Sequence, residues 1–397
     1  METKVATALA TGTSHEVAEV LGQSVREQLG GASPALAFVF ASTKQPLPEL
    51  LPLFQRQLGD TMILGASAAG EFTEKGDEKG SAVVFAVSGD FRVFAGMSTG
   101  LKTDVEGAVA RAIADLPPSV EGFPHRTAIL LLDPLAGRGE EATLLTAAML
   151  GGDVRLAGGA AGDDLQMKET HVGVNGHAAS DAVVIAAIFS KQPLGVGVCH
   201  GHVPLSHGLK LKVTKAEGNI VYEVNGRPAW DVWAEQTRES AARRNIDPTQ
   251  VPPDEIGGFL LRYEAGLATG SSYKVRAPLS RGADGSLGFA CGMPEGTEFT
   301  ITESEPEQQV TSAREAARRA LQQVGNTPIA GAVVFDCICR YLILGSRFAG
   351  AVHSIADELG GVPIAGLETY GEIALDAGDM SGFHNTTTVV LTFPKGQ

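Results

Sequence analysis

The sequence predicts an α/β protein of layered, mixed sheets, built from three βαβαβ-β pseudo-repeats with an inserted β-rich segment. Three observations predict this class. Strand and helix patterns alternate along the chain, and their order recurs three times. Central strand patterns such as AILLLD are apolar without alternation, which is typical of strands covered on both faces. The chain has 397 residues, 44% of them hydrophobic, which is enough for a large core and more than one typical domain.

The first unit covers residues 3–90. It reads as strand KVATALA, helix SHEVAEVLGQSVREQL, strand ALAFVFA, helix LPELLPLFQRQL, strand MILG, a glycine-rich loop and strand SAVVFAV. Ser14 is a candidate N-cap for the first helix. One apolar face of that helix is predicted to hold Val17, Val20, Leu21, Val25 and Leu29.

The second unit covers residues 91–190 and the third covers 298–394. The second repeats the order with FRVFAGMS, DVEGAVARAIADL, TAILLLD, EEATLLTAAML, VRLAG, a loop and DAVVIAAIF. The third uses EFTITES, VTSAREAARRALQQV, AGAVVFD, GSRFAGAVHSIADEL, VPIAG, a loop and TTTVVLTF. The β-rich segment lies between them, and a boundary near Gly218 divides the chain into domains 1–217 and 218–397.

Composition restricts the partners of the protein. The net charge is −15, and no basic run exceeds a pair of arginines. Such a field repels nucleic acid and anionic membranes, so neither is expected as a partner. We find no signal peptide pattern or membrane-spanning apolar stretch, which predicts a cytoplasmic protein. The four scattered cysteines are expected to be reduced thiols.

Each unit contains the same loop. In MILGASAAGEFTE, RLAGGAAGDDLQ and PIAGLETYGEIAL, an apolar run reaches a glycine, and a second glycine then precedes an acid. The glycine and acid pairs are Gly70 and Glu71, Gly162 and Asp163, and Gly371 and Glu372. The N–H groups of a glycine turn can receive a carboxylate while the acid pairs with an ammonium group, so a zwitterion such as an amino acid would fit. The alternative is that the three glycines hold positive φ in tight turns beside solvated acids.

The third loop is favoured as the binding loop because it alone adds Glu368 and Tyr370. In open α/β sheets, ligands lie beyond the carboxyl ends of strands, where FDCICRYL would place three further candidates, Asp336, Cys337 and Arg340. Arg340 is the best candidate clamp for a ligand carboxylate, with an internal ion pair to Asp336 or Glu372 as its alternative.

Two histidine-containing stretches supply the remaining candidates. In SGFHNTTTVV, His384 and Asn385 could reach the pocket. In CHGHVPLSH, His200, His202 and His207 could hold a metal, but no second ligand pair completes a known spacing, so no metal site is predicted. No nucleophile elbow or Cys-His signature is found either, so we expect a binding protein and not an enzyme.

Six stretches resemble the FIST family across nearly the whole chain. These are LGASAAGE, GGAAGDD, PLGVGVCHG, VTKAEGNIVYEVNGRPAWDVW, FDCICR and IAGLETYGEIA with FHNTTTVV. The resemblance covers residues 35–393 and both FIST domains, N-terminal over 1–217 and C-terminal over 218–397.

The FIST resemblance implies a sensory module for small ligands, with amino acids as the proposed class, acting with a separately encoded signalling protein. Haem-based nitric-oxide sensing is a second implication, with an axial ligand from His200, His202, His207 or His384. A protein-interaction scaffold without ligand is the third interpretation.

Overall fold

Strands and helices alternate in the first half of the chain, as the patterns predict. The computed structural model describes residues 2–152, 154–270, 272–325, 327–375 and 382–396. The elements up to residue 99 are β1 (Lys4–Ala10), α1 (Ser14–Gln28), β2 (Leu36–Ala41), α2 (Leu47–Leu58), β3 (Met62–Ser67), β4 (Glu71–Thr73), β5 (Gly76–Asp77), β6 (Ala82–Ser88) and β7 (Arg92–Thr99). They are followed by α3 (Val105–Ile113), β8 (His125–Leu132), α4 (Gly139–Leu150), β9 (Arg155–Ala160), β10 (Val172–Val174), β11 (His177–Ala179), β12 (Ala182–Ser190) and β13 (Gly195–His200).

The second half begins with the inserted segment. Its elements are β14 (Val203–Pro204), β15 (Leu211–Glu217), β16 (Ile220–Val224), β17 (Arg227–Pro228), α5 (Ala229–Ala242), α6 (Ile256–Arg262), β18 (Tyr263–Thr269), β19 (Ser272–Arg276), β20 (Pro278–Arg281), β21 (Leu287–Phe289) and β22 (Glu298–Glu303). The chain continues with α7 (Pro306–Val324), β23 (Ile329–Cys337), α8 (Ile338–Leu344), α9 (Phe348–Glu358), β24 (Ile364–Thr369), β25 (Glu372–Leu375), β26 (Phe383–His384) and β27 (Thr387–Pro394).

Three six-stranded sheets have the same internal order. They run β1-β6-β2-β3-β10-β11, β7-β12-β8-β9-β25-β26 and β13-β27-β23-β24-β4-β5. The two central strands of each sheet are parallel, and the other pairs are antiparallel. In each sheet, the last two strands form a hairpin that comes from a different unit. In the chain, that hairpin follows the third strand of its own unit. These mixed sheets with covering helices confirm the predicted α/β class.

The insert forms a separate nine-stranded sheet, which corrects the predicted start of the third unit. The stretch EFTITES was expected to open that unit, but β22 pairs with β18 and β15 inside the insert. In the third six-stranded sheet, β13 occupies the edge position next to β27 that EFTITES was expected to fill. The prediction failed because EFTITES alternates polar and apolar residues like a strand, whereas β13 is rich in glycine and reads as a loop. The boundary near Gly218 stays a prediction, and Gly218 lies in the turn between β15 and β16.

The first helix shows a smaller correction. Its N-cap is Thr13 and not Ser14, because the Thr13 hydroxyl accepts the Glu16 N–H while the Thr13 N–H donates to the Glu16 carboxylate at 2.8 Å. Val20 is 52% exposed, so it does not belong to the buried face that holds Val17 and Leu21.

The inner faces of the three sheets share one hydrophobic core. The ring centroids of Phe40 and Phe335 are 5.9 Å apart, and those of Phe85 and Phe393 are 5.3 Å apart, so both pairs join the first unit to the third. The insert has its own core around Trp233, whose indole N–H donates to the Tyr263 carbonyl. Among the described residues, no helix is both long and apolar enough to cross a membrane.

We predict that Gly197→Ala lowers the free energy of unfolding by about 1–3 kcal/mol, since overpacking forces the backbone to move. A Cβ at Gly197 would lie 1.9 Å from the carbonyl oxygen of Ala316, where β13 packs against α7. The control is Gly350→Ala on the exposed side of α9, where nothing lies within 4 Å and the better helix propensity should slightly stabilise the protein. Urea denaturation measures both variants, and equal stabilities would contradict this packing.

Candidate functional site

The three glycine-acid loops meet and bond to one another. The Gly162 N–H donates to the Ser67 carbonyl at 2.8 Å, which joins the second loop to the first. The Glu368 N–H donates to the Gly70 carbonyl at 2.8 Å, which joins the third to the first. The Ala160 N–H donates to the Gly371 carbonyl at 2.7 Å, which joins the second to the third. One site therefore contains all three loops.

The second glycine of each loop is needed for close contact and not for a left-handed turn. The positive φ proposed for Gly70, Gly162 and Gly371 is wrong, since none of the three has it. A Cβ on Gly162 would lie 2.5 Å from the Ala69 nitrogen, and one on Gly70 would lie 2.6 Å from Oε2 of Glu368. A side chain at Gly162 is excluded by the backbone of the first loop, whereas one at Gly70 would have to displace the Glu368 carboxyl group.

Asp163 and Tyr370 hold the second and third loops together. The Asp163 carboxylate accepts hydrogen bonds from the Tyr370 hydroxyl and from the backbone N–H groups of residues 167–169. Burial opposes ionisation of Asp163, but these hydrogen bonds outweigh it and lower its pKa. The Tyr370 oxygen also accepts the Leu165 N–H at 2.8 Å. Both residues therefore act on loop structure, and their polar groups are already paired.

Arg340 is an internal anchor, which corrects its proposed role as a carboxylate clamp. Within FDCICRYL, the strand β23 ends at Cys337, and Arg340 lies on the helix α8 that follows. Its side chain is fully buried, and its Nε lies 2.7 Å from Oδ1 of Asp336. The guanidinium also donates to the side chains of Gln309 and Ser312 and to the Gln309 carbonyl. The ion pair that the sequence left as an alternative is the observed arrangement.

Glu372, Cys337 and Asn385 are also buried within the protein. The Glu372 carboxyl accepts hydrogen bonds from the Thr369 hydroxyl and from the Thr387 N–H, at 3.1 Å for the latter. Burial raises the pKa of Glu372 well above its ordinary value. The Asn385 carbonyl accepts the Cys291 thiol at 3.3 Å. The polar groups of Glu372 and Asn385 are therefore paired inside the protein, and Cys337 is buried, so the structure gives all three a packing role.

The histidines do not fit a haem. His202 is buried against Glu264, with 3.8 Å between its Nε2 and Oε1 of Glu264. The Nε2 atoms of His200 and His384 lie 2.7 Å and 3.1 Å from main-chain carbonyl oxygens. His207 is exposed and pairs with Glu239 at 2.9 Å. Axial ligation needs an accessible imidazole nitrogen; the Nε2 atoms of His200, His202 and His384 face protein groups, and that of His207 is paired with Glu239 at the surface. Within the described residues, no three His, Cys, Asp or Glu side chains converge as metal ligands.

A cleft of about 330 Å³ opens where the first and second loops meet α8. We name it the Glu71–Glu368 cleft after the two buried acids in its wall. Glu71 is 2% exposed; its Oε2 accepts the Ser81 hydroxyl at 2.8 Å, while its Oε1 has no hydrogen-bond partner in the described parts of the chain. Glu368 is 3% exposed, and no hydrogen bond to its carboxyl group is found among the described residues. These are the unsatisfied polar groups of the site.

The rest of the cleft wall was missed by the sequence interpretation. Asp164 accepts hydrogen bonds from the hydroxyls of Ser42 and Thr43, at 2.9 Å from Ser42. Lys44 and Lys79 lie at the exposed rim. The polar stretch STK directly follows the apolar strand β2. Because ligands lie beyond the carboxyl ends of strands, this position could have marked its residues as part of the site.

Burial keeps both cleft acids protonated near neutral pH. It raises the pKa of Glu71 to about 8, against the opposing hydrogen bond from Ser81. It raises the pKa of Glu368 to about 9, and the neighbouring carboxylates of Asp336 and Glu71 add to that shift. At pH 7, a carboxyl group with such a pKa is roughly nine-tenths or more protonated. A cation brought into the cleft would therefore favour release of these protons.

We predict that Arg340→Ala lowers the free energy of unfolding by about 3–5 kcal/mol, because it leaves Asp336 buried without its partner. The double variant Arg340→Met with Asp336→Asn should recover most of that loss. Arg318→Ala, at an exposed arginine of α7, is the control and should change little. Urea denaturation gives the comparison, and a single Arg340→Ala variant as stable as the control would show that the ion pair is unimportant.

We predict that stability falls as pH rises from 6 to 8, with a shallower slope in Glu368→Gln. In the unfolded chain, this carboxyl group releases its proton once the pH exceeds its ordinary pKa of 4.5. In the folded protein, the raised pKa keeps the proton bound at the same pH. Each such group contributes a loss of about 1.4 kcal/mol per pH unit until its folded pKa is approached. Urea unfolding at pH 6, 7 and 8 measures the slopes, with exposed Glu106→Gln as control. Equal slopes in wild type and Glu368→Gln would refute the buried proton.

Comparison with known proteins gives two matches to one family and two remote similarities. Residues 35–227 match the FIST N domain, and residues 229–375 match the FIST C domain. An uncharacterized protein of Methanocaldococcus jannaschii is 24% identical over 205 residues, which are 49% of this chain and 37% of that protein's length. The crystal structure of a cyanuric acid hydrolase from A. caulinodans aligns over 76% of this chain and 99% of its own, at 12% identity and a TM-score of 0.25, too low to bear on fold or activity. The two domain matches cover nearly the whole chain, which therefore belongs to the FIST family.

Proposed function

We propose that the protein is a sensory module that binds an amino acid or a related zwitterion in the Glu71–Glu368 cleft. FIST domains are generally linked to sensing in signal transduction. The observation that carries the proposal is a pair of buried glutamates with unpaired oxygens: neither Oε1 of Glu71 nor the carboxyl group of Glu368 has a hydrogen-bond partner among the described residues. A buried polar group without a partner is costly, so a ligand that supplies N–H donors gains the most at this position.

The rest of the cleft suits a zwitterion. Its two lysines, Lys44 and Lys79, are exposed at the rim, whereas Glu71 and Glu368 are buried. An ammonium group would enter toward the glutamates, and the ligand carboxylate would stay near the lysines. The volume of about 330 Å³ lies at the small end of the range for small-molecule sites. An amino acid is of that size.

The segment after Asp163 is the part of the wall best placed to report occupancy to a signalling protein. Asp164, Leu165 and Met167 all have left-handed backbones, with φ of 53°, 62° and 53°. Such conformations are costly for residues other than glycine and persist only where surrounding contacts hold them. Asp164 lines the cleft, while Leu165 and Met167 are 48% and 56% exposed. A ligand that displaces Asp164 would therefore alter an exposed apolar surface.

We predict that one or a few amino acids raise the melting temperature of the wild-type protein by several degrees. A ligand at one hundred times its dissociation constant stabilises the folded state by about 2.7 kcal/mol. Glu71→Gln and Glu368→Gln should lose most of this shift because they remove the charge that pairs with the ammonium group. A thermal-shift screen of the twenty amino acids and simple amines measures it.

Two controls accompany the screen. Glu106→Gln, an exposed acid on α3 outside the cleft, should keep the full shift. Mass spectrometry should recover the ligand unchanged, because the proposal is binding without conversion. A screen without any shift would refute the proposed function, and a full shift in both cleft variants would refute the proposed site.

A further inference from the structure

The buried part of the Glu71–Glu368 cleft has more acidic groups than one ammonium group can pair with. Five acidic side chains line the cleft, Glu71, Asp77, Glu78, Asp164 and Glu368, against two lysines. Both lysines lie at the rim with Asp77 and Glu78, where all four are exposed to solvent. The interior therefore has acidic groups and, within the described residues, no cation of its own.

Two of these acids are almost fully buried and keep carboxyl oxygens without a hydrogen-bond partner, whereas Asp164 is only half-buried. The carboxyl groups that act on Glu368 are those of Asp336, Glu71, Asp77 and Asp164. Asp336 is already paired with Arg340 at 2.7 Å, and Asp164 already accepts hydrogen bonds from Ser42 and Thr43. Asp77 is at the rim. This leaves Glu71, through its Oε1, and Glu368.

Resting on the proposed function, we infer that the cleft selects ligands with two cationic amino groups, such as diamino acids, over neutral and acidic zwitterions. A ligand with one ammonium group brings one positive charge, so it can neutralise one of the two glutamates and leaves the other protonated. A second ammonium group provides a charge-assisted hydrogen bond to that second carboxylate. A ligand with an extra carboxylate would bring a like charge toward buried acids.

The difference between one and two ammonium groups should be visible as released protons. Both glutamates are largely protonated in the empty cleft at pH 7, because burial raises the pKa of each to about 8 or 9. Each ion pair formed with a ligand expels one of these protons. The second amino group should therefore add about one released proton to the binding reaction.

The test compares L-lysine with L-norleucine, which has the same carbon chain without the terminal amino group, and with L-glutamate. Isothermal titration calorimetry at pH 7 gives the dissociation constants, and repeating it in two buffers of different ionisation enthalpy gives the number of protons released. We expect L-lysine to bind at least tenfold more tightly than L-norleucine and to release about one proton more. L-Glutamate should bind more weakly than both.

Variants then assign the effect to the two carboxyl groups. Glu71→Gln and Glu368→Gln should each reduce the preference for L-lysine over L-norleucine to less than threefold and remove the additional proton. Exposed Glu106→Gln should keep both properties. The wild-type preference and the proton count do not depend on either cleft variant folding, so they test the inference independently.

Two outcomes separate the inference from the proposed function. If L-norleucine binds within threefold of L-lysine, or if both release the same number of protons, the selection of dications is wrong while amino-acid binding stands. If neither these three amino acids nor any other in the screen binds, the proposed function itself fails, and the inference fails with it.

Discussion

The structure depends on the exchange of hairpins among its three six-stranded sheets. Each sheet is completed by two strands from another unit, so none of the three is a complete sheet without its neighbours. The loops that lead into these hairpins are the glycine-acid loops, and backbone hydrogen bonds join all three. The close contact between backbones forces a small residue at Gly162. The same contact brings Gly70 against Glu368 and thereby places acids of two units in one cleft.

Charged groups near this junction fall into two classes. Arg340 and Asp336 are paired and surrounded by donors and acceptors, and Asp163 accepts four hydrogen bonds. Such groups fix one arrangement of loops, because each would be costly to bury alone. Glu71 and Glu368 differ, since they are buried at a cleft with oxygen atoms that the described chain leaves unpaired. That difference separates structural acids from binding acids.

The sequence predicted the elements well and the partners of the charged residues less well. Apolar runs and helical periodicity located the central strands and the helices, since burial on both faces leaves a continuous pattern. The same rule failed for β13, whose Gly195 and Gly197 are small because α7 packs on them. Hairpin exchange could not be predicted, because it depends on contacts between distant units.

Within the site, the repeated motif identified Glu71 but also named Asp163 and Glu372, while Glu368 was a candidate as a residue that the third loop alone adds. Residue type does not reveal which carboxyl groups find internal donors. Lys44 and Asp164 had no motif to mark them.

The proposed function requires that Glu71 and Glu368 hold protons in the empty cleft and lose them to a ligand's ammonium groups. The most direct measurement follows the ¹³C resonances of these two side-chain carboxyl groups with pH, without and with L-lysine. We expect titration midpoints near 8 and 9 in the free protein, and midpoints below neutral pH when the ligand is bound. Midpoints near the ordinary glutamate value in the free protein, or midpoints unmoved by a ligand that does bind, would contradict it.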